Sequence, residues 1–170
     1  MESTLAKVTE AASLEEALRD EDQNRFEVTR VTRDAVESIA RTVVNLGWVT
    51  DIPETPMSVL GNDLRFEQML DKLLDNARDF TPDGGVITVG LSDQINSVVL
   101  WVENEGPSLR IQDGVDAFQM FSGTRNDSTG SHLGLGLYVV RLIAESMGAR
   151  VAIGNTERGV RVEVTGIRVP

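Results

Sequence analysis

The chain has 170 residues, 41% of them hydrophobic, enough for one substantial core and a short appendage. Its 27 acidic and 16 basic residues leave a net charge of −11, which excludes the Lys- and Arg-rich surface that binding a nucleic-acid backbone requires. There is no cysteine, so disulfides and thiolate metal sites are excluded, and no apolar run approaches the roughly eighteen residues of a membrane-spanning helix.

The acidic, mixed start does not read as a signal peptide. Residues 1–23 read as a helix, with Leu5, Val8, Ala12, Leu14 and Leu18 as an apolar stripe that ends in the charged stretch Arg19 to Arg25. Phe26 to Val28 reads as a short strand or entry segment. Thr32 to Leu46 reads as a helix with Val36, Ile39, Ala40, Val43 and Val44 on one side, and Gly47 is expected as its C-terminal cap. Trp48 to Ile52 and Met57 to Leu60 are expected strands around the breaker Pro53-Glu54-Thr55-Pro56.

The most informative stretch runs from Gln68 to Gly85. Phe66, Met69, Leu70, Leu73, Leu74, Ala77 and Phe80 recur at three- and four-residue steps, which makes one helix face. Gln68, Lys72 and Asn76 are spaced by four and form a polar stripe beside it. Asn is a mediocre helix former, but its carbonyl oxygen is a good hard ligand for magnesium. The helix stops at Pro82-Asp83-Gly84-Gly85.

Beyond it, Gly85 to Ser92 and Ser97 to Asn104 have strand composition, with a hairpin signal at Asp93 to Asn96. Arg150 to Asn155 and Val160 to Ile167 repeat the arrangement. Between the two pairs, Pro107 to Ser131 is rich in Gly, Ser, Thr, Asp and Asn, and a loop this long inside a domain is usually functional. It leads into His132 to Gly148, where Gly134 and Gly136 open an apolar helix of period near 3.6. Small residues at a helix start let a backbone approach an anion, which the free N–H groups and the dipole favour.

In this order and at this spacing the motifs resemble those of the catalytic, ATP-binding domain of bacterial sensor histidine kinases. That family lies within the wider ATPase superfamily that also holds gyrase, Hsp90 and MutL. The resemblance covers roughly residues 26–170. Gln68 to Phe80 matches the N box, with Asn76 at the main magnesium ligand. Gln68 stands where the family has a Glu or Gln that polarises the attacking group. Val102-Glu103-Asn104-Glu105-Gly106-Pro107-Ser108 matches the first G box. Phe118 and Phe121, followed by Arg125, match the F box. Leu133-Gly134-Leu135-Gly136-Leu137 matches the second G box, and Gly159 the last glycine motif.

The fold implied is α+β: a two-layer α/β sandwich whose mixed, mostly antiparallel sheet of about five strands is covered on one face by about three helices. A lid over the nucleotide is expected at about 107–132. Residues 1–25 are expected to be the tail of a dimerisation and phosphoacceptor helix with its linker, and residues 26–170 the catalytic domain. Gln68 and Asn76 are the implied catalytic residues, and Asn76 the metal ligand. The implied ATP and Mg²⁺ site comprises Asn76, Asp79, Phe80, Asn104, Gly106, Phe121, Arg125, His132, Leu133, Gly134, Leu135, Gly136 and Leu137. The implied partners are ATP and ADP, a dimerisation and phosphoacceptor domain of the same full-length protein, and a downstream response regulator, with no nucleic acid. The fragment itself is expected to be monomeric and the full-length protein a homodimer. The domain is expected in the cytoplasm, with the full-length protein anchored in the bacterial inner membrane.

The chain also departs from the pattern. Lys72 stands where many members have a first Asn, Asp79 where a Lys or Arg is usual, and Asn104 where the family's Asp receives the adenine amino group. Ser108 and His132 replace common glycines. His132, the sole histidine, sits against the phosphate loop, so ATP binding without autophosphorylation is expected. An ATP-hydrolysing relative of gyrase or MutL would carry a general-base Glu at the Gln68 position. A serine-kinase anti-sigma factor of the same superfamily is a third reading. The principal alternative is a degenerate nucleotide-binding or interaction module without kinase activity.

Overall fold

A computed structural model describes residues 4–109, 118 and 135–170. In chain order the elements are α1 (Thr4–Arg19), β1 (Asn24–Glu27), α2 (Val28–Thr42), β2 (Gly47–Asp51), β3 (Ser58–Gly61), α3 (Asp63–Phe80), β4 (Val86–Gln94), β5 (Ser97–Glu105), α4 (Leu135–Ser146), β6 (Arg150–Asn155) and β7 (Gly159–Arg168). Five strands form one sheet in the order β2-β4-β5-β7-β6, in which β2 and β4 run parallel and every other pair antiparallel. β1 and β3 form a separate antiparallel ribbon. The architecture is therefore the expected α+β sandwich.

Strand alternation explains the layering. Ile87, Val89 and Leu91 of β4, Leu100 and Val102 of β5, and Val162 and Val164 of β7 point to one face and are buried. On that face lie α3 and α4, packed against each other, with α2 beside α3. Phe66, Met69, Leu70, Leu73, Leu74 and Ala77 of α3 are all at most 2% exposed, so the apolar face read from sequence is the buried face. Each large side chain removed from water here contributes about 1.5–3 kcal/mol before the entropy of ordering it is counted. Asn62 caps α3 by accepting the Arg65 N–H through Oδ1 at 3.1 Å.

α2 departs from expectation at both ends. It begins at Val28, which is fully buried and donates its N–H to the Met57 carbonyl, and it ends at Thr42. The Thr42 hydroxyl bonds back to the Ile39 carbonyl at 3.0 Å and the Val43 carbonyl accepts from the Trp48 indole at 3.1 Å, so the β-branched run Thr42-Val43-Val44 leaves the helix. Val44, expected on the apolar side, is 84% exposed. Gly47 is not a cap. It starts β2 opposite Val86, where a Cβ would lie 3.0 Å from the Val86 Cγ2.

The β4–β5 hairpin turns on Ile95 and Asn96 alone, with Asn96 at φ 59°. Asn tolerates that left-handed conformation, and this allows a turn tighter than the four residues expected. Among the described residues, no helix is packed on the sheet's other face. There the Trp101 indole lies across Gly90, and the Arg161 guanidinium sits 4.1 Å over the indole while bonding Glu103 at 3.1 Å.

Candidate functional site

The polar stripe of α3 lies where its spacing put it. Gln68, Lys72 and Asn76 are each half-buried, one turn apart, along the edge of the buried face. The Asn76 amide makes no hydrogen bond among the described residues, which leaves its carbonyl oxygen available to a hard cation. The Gln68 Oε1 accepts from Arg65 Nη1 at 3.1 Å. Near the helix end Asp79 lies 3.4 Å from Arg78, which also lies 3.6 Å from Asp75. A cation is therefore present beside the position where the family carries one, but two carboxylates compete for it.

Thr81 ends the helix. Its hydroxyl donates to the Ala77 carbonyl at 2.6 Å, and Pro82 follows without an N–H to continue the ladder. Gly106, just past the end of β5, packs against the end of α3. Gly106 has φ +150°, and a Cβ there would stand 2.5 Å from the Phe80 carbonyl oxygen. The close approach that this glycine permits is thus to the end of α3 itself. Gly159 plays the matching part on β7, where a Cβ would stand 2.0 Å from the Asn104 carbonyl.

Asn104 is 3% exposed and faces the helix side of β5. Its Nδ2 donates to the Glu105 carbonyl at 3.1 Å. A carboxylate buried as deeply would need a paired charge, whereas the amide needs only hydrogen bonds. Glu105 is fixed by accepting the Val86 N–H at 2.9 Å.

Leu135, Gly136 and Leu137 form the first turn of α4. Among the described residues, nothing lies within 4 Å of the place a Gly136 Cβ would occupy. One position on, Tyr138 reaches Glu15 of α1 at 3.5 Å; burial and that carboxylate push its phenol above the ordinary value. Phe118, matched to the F box, is buried in the core cluster. Phe121, Arg125, His132, Leu133 and Gly134 lie outside the described residues.

Two contacts escaped sequence reading. Asn155 exchanges hydrogen bonds with the Leu109 backbone, accepting its N–H at 2.7 Å and donating to its carbonyl at 3.2 Å, so β6 grips the start of the long loop. Arg65 links Gln68 to Glu21, 44 residues earlier in the chain. Neither has a local signal; the one hint was a charged residue three positions before Gln68 on a helix.

The site thus gathers the end of β5, the polar stripe of α3 and the first turn of α4 on one side of the sheet. Residues 61–169 match the model of the family described as Histidine kinase-, DNA gyrase B-, and HSP90-like ATPase. The chain belongs to this ATPase family. Among relatives, it is 29% identical over 167 residues to "Sensor protein ChvG" of Rhizobium meliloti (strain 1021), covering 91% of this chain and 29% of that protein. It is 29% identical over 147 residues to "Probable sensor histidine kinase TcrY" of Mycobacterium tuberculosis, covering 82% of this chain and 31% of that protein. The chain therefore spans about three-tenths of these relatives' length.

Among solved structures, the mycobacterial sensor histidine kinase MprB superposes with a TM-score of 0.73 at 21% identity, covering 87% of this chain and 99% of that one. The Acinetobacter baumannii histidine kinase AdeS gives 0.75 at 21% identity, covering 97% and 78%. At these identities the likeness is one of fold.

Proposed function

We propose that this chain is the catalytic ATP-binding unit of a sensor histidine kinase, and that it delivers the γ-phosphoryl group of ATP to a histidine on a separate dimerisation segment. The observation that carries this reading is the placement of Asn76, with no hydrogen-bond partner among the described residues, on the helix packed against α4, whose first turn holds Gly136 with no described atom within 4 Å of its Cβ position.

The roles follow from the chemistry of each group. Asn76 would hold Mg²⁺ through its amide oxygen. The metal, with its remaining ligands from phosphates and water, would neutralise charge on the transferring group. The first turn of α4 offers N–H groups and a positive dipole end to phosphate oxygens, which matters in a chain of net charge −11. Asn104 donates one amide N–H to the Glu105 carbonyl, and its oxygen, which accepts from none of the described residues, would receive the adenine amino group. A neutral acceptor there binds less strongly than a carboxylate. Gln68 orients the attacking imidazole; an amide is no strong base, so transfer depends on positioning and electrostatics. The imidazole nitrogen attacks the γ-phosphorus, an N–P bond forms, the bond to the leaving ADP oxygen breaks with its electron pair, and the imidazole proton passes to solvent.

On this reading residues 1–25 are the tail of the phosphoacceptor helix and its linker. The loop from about residue 107 to 132 closes over the nucleotide, with Phe121, Arg125 and His132 taking part. A dimeric, membrane-anchored full-length protein and a response regulator complete the pathway. A second reading, a binding module without transfer activity, draws on Asp79 and the two carboxylates around Arg78, which oppose a phosphate.

The test is transfer in trans. The chain is incubated with γ-labelled ATP, Mg²⁺ and the isolated histidine-bearing dimerisation domain of a sensor kinase with the same box pattern. Acid-labile label on that domain's histidine supports the kinase. Bound nucleotide with no label on the acceptor favours the module.

A further inference from the structure

We propose that Arg65 positions Gln68 and that Glu21, in the segment between α1 and β1, positions Arg65. The inference rests on the role given to Gln68 above and adds what governs it.

Arg65 uses its planar fork in two directions. Its Nε and Nη2 meet the Glu21 Oε1 at 2.7 and 2.5 Å, and its Nη1 meets the Gln68 Oε1 at 3.1 Å. The base of the side chain is fixed too, since the Arg65 N–H is capped by Asn62. Both charged side chains are only about a quarter exposed, at 28% and 24%, whereas the i,i+4 pairs within α1 and α2 are at least 47% exposed. Water and salt therefore screen this pair less than those.

Gln68 has one acceptor atom, and the guanidinium holds it. The amide plane is thereby fixed, with its two N–H donors turned away from Arg65. Where Arg65 goes, the acceptor of Gln68 goes.

Glu21 in turn is held by docking of the N-terminal helix. Ala11 and Leu14 of α1 are buried, Glu15 meets Tyr138 of α4, and Gln23 bridges the Ser146 carbonyl at 2.5 Å and Arg168 at 3.0 Å. The docking is not fully satisfied. Glu21 Oε2 is buried and has no hydrogen-bond partner among the described residues, which costs free energy in the docked state. Displacement of residues 20–23 relieves that cost and takes the carboxylate from Arg65. α1 thus touches the first turn of α4 through Glu15, and the segment that follows it touches Gln68 through Glu21 and Arg65, so a shift of α1 together with that segment is read at both helices of the proposed site.

The experiment uses the ¹⁵N-labelled chain without nucleotide, as wild type, Glu21→Gln and Arg65→Lys. The Gln68 side-chain amide peaks are assigned by their loss in Gln68→Glu. The expected result is that both variants move the Gln68 peaks, although Glu21 does not touch Gln68, while the backbone peaks of β4 and β5 stay in place. A further expected result is a transfer rate lowered about tenfold, in the trans assay above, with nucleotide affinity changed less than about twofold. Unmoved Gln68 peaks in Glu21→Gln overturn the inference. Should Arg65→Lys fail to fold, Glu21→Gln decides alone, because it alters the linker only. The spectra need no nucleotide, so a chain that fails to bind ATP refutes the kinase reading and leaves the Glu21–Arg65–Gln68 connection to be judged separately.

Discussion

The backbone of Gly106 is seated against the carbonyl oxygen of Phe80, with only 2.5 Å between that oxygen and the place a Cβ would occupy. The end of the Asn76 helix and the end of β5 are therefore locked at one distance. Substituting Gly106→Ala adds the clash to a φ of +150°. The expected cost is about 1–3 kcal/mol, read as a lower urea midpoint at unchanged slope. Nucleotide affinity should fall with it, because the adenine and phosphate ends no longer share a frame. An unchanged midpoint would mean that the two segments slide past one another freely.

A second close packing lies on the sheet's other face. A Cβ on Gly90 would stand 2.1 Å from the Trp101 ring, so Gly90→Ala must expel the indole from under Arg161. The stacking lost is worth about 0.5–1 kcal/mol. Tryptophan emission should shift to the red, since Trp101 is one of only two tryptophans. This face is opposite α3 and α4, so Mg²⁺-dependent nucleotide affinity should not change. Emission at the wild-type wavelength would contradict the placement of Trp101.

How much was legible in the sequence depends on whether the cause was local. α3 was legible because its apolar spacing and its Pro82-Asp83-Gly84-Gly85 stop lie within one stretch; its Asn62 cap emerged only from the structure. The two hairpins of the sheet were legible from β-branched runs. The α2 boundaries were not, because Val28 is drawn into the helix by its bond to Met57, almost thirty residues away, and Gly47 is recruited by Val86. At the site, periodicity found Gln68 and Asn76. It could not find Glu21 or Asn155, whose partners Arg65 and Leu109 are brought to them only by the tertiary fold.

Asp71 carries a pH prediction. Burial, then the neighbouring Glu67 and Asp75, raise its carboxyl above the ordinary value of 3.8, with Lys72 acting the other way. A raised folded value means that the native state holds this proton more tightly than the unfolded chain. Its charge therefore opposes folding above the folded value, and the opposition is gone below 3.8. Because the side chain is only partly desolvated and still largely reaches water, Asp71→Asn should stabilise the neutral-pH protein by no more than about 0.5 kcal/mol. Urea midpoints across the acid range test this: the advantage of the variant should shrink as pH falls. An advantage that grows toward acid would contradict the assignment.

The most direct test of the account is calorimetric titration of the chain with ADP and with a non-hydrolysable ATP analogue, with Mg²⁺ and with chelator, for wild type and Asn76→Ala. The account predicts saturable binding by wild type that weakens sharply on chelation. It predicts that Asn76→Ala loses the Mg²⁺-dependent part while unfolding as cooperatively as wild type, because Asn76 is half-buried and hydrogen-bonded to none of the described residues. Equal affinity in the two proteins, or no binding by wild type at millimolar nucleotide, would contradict it.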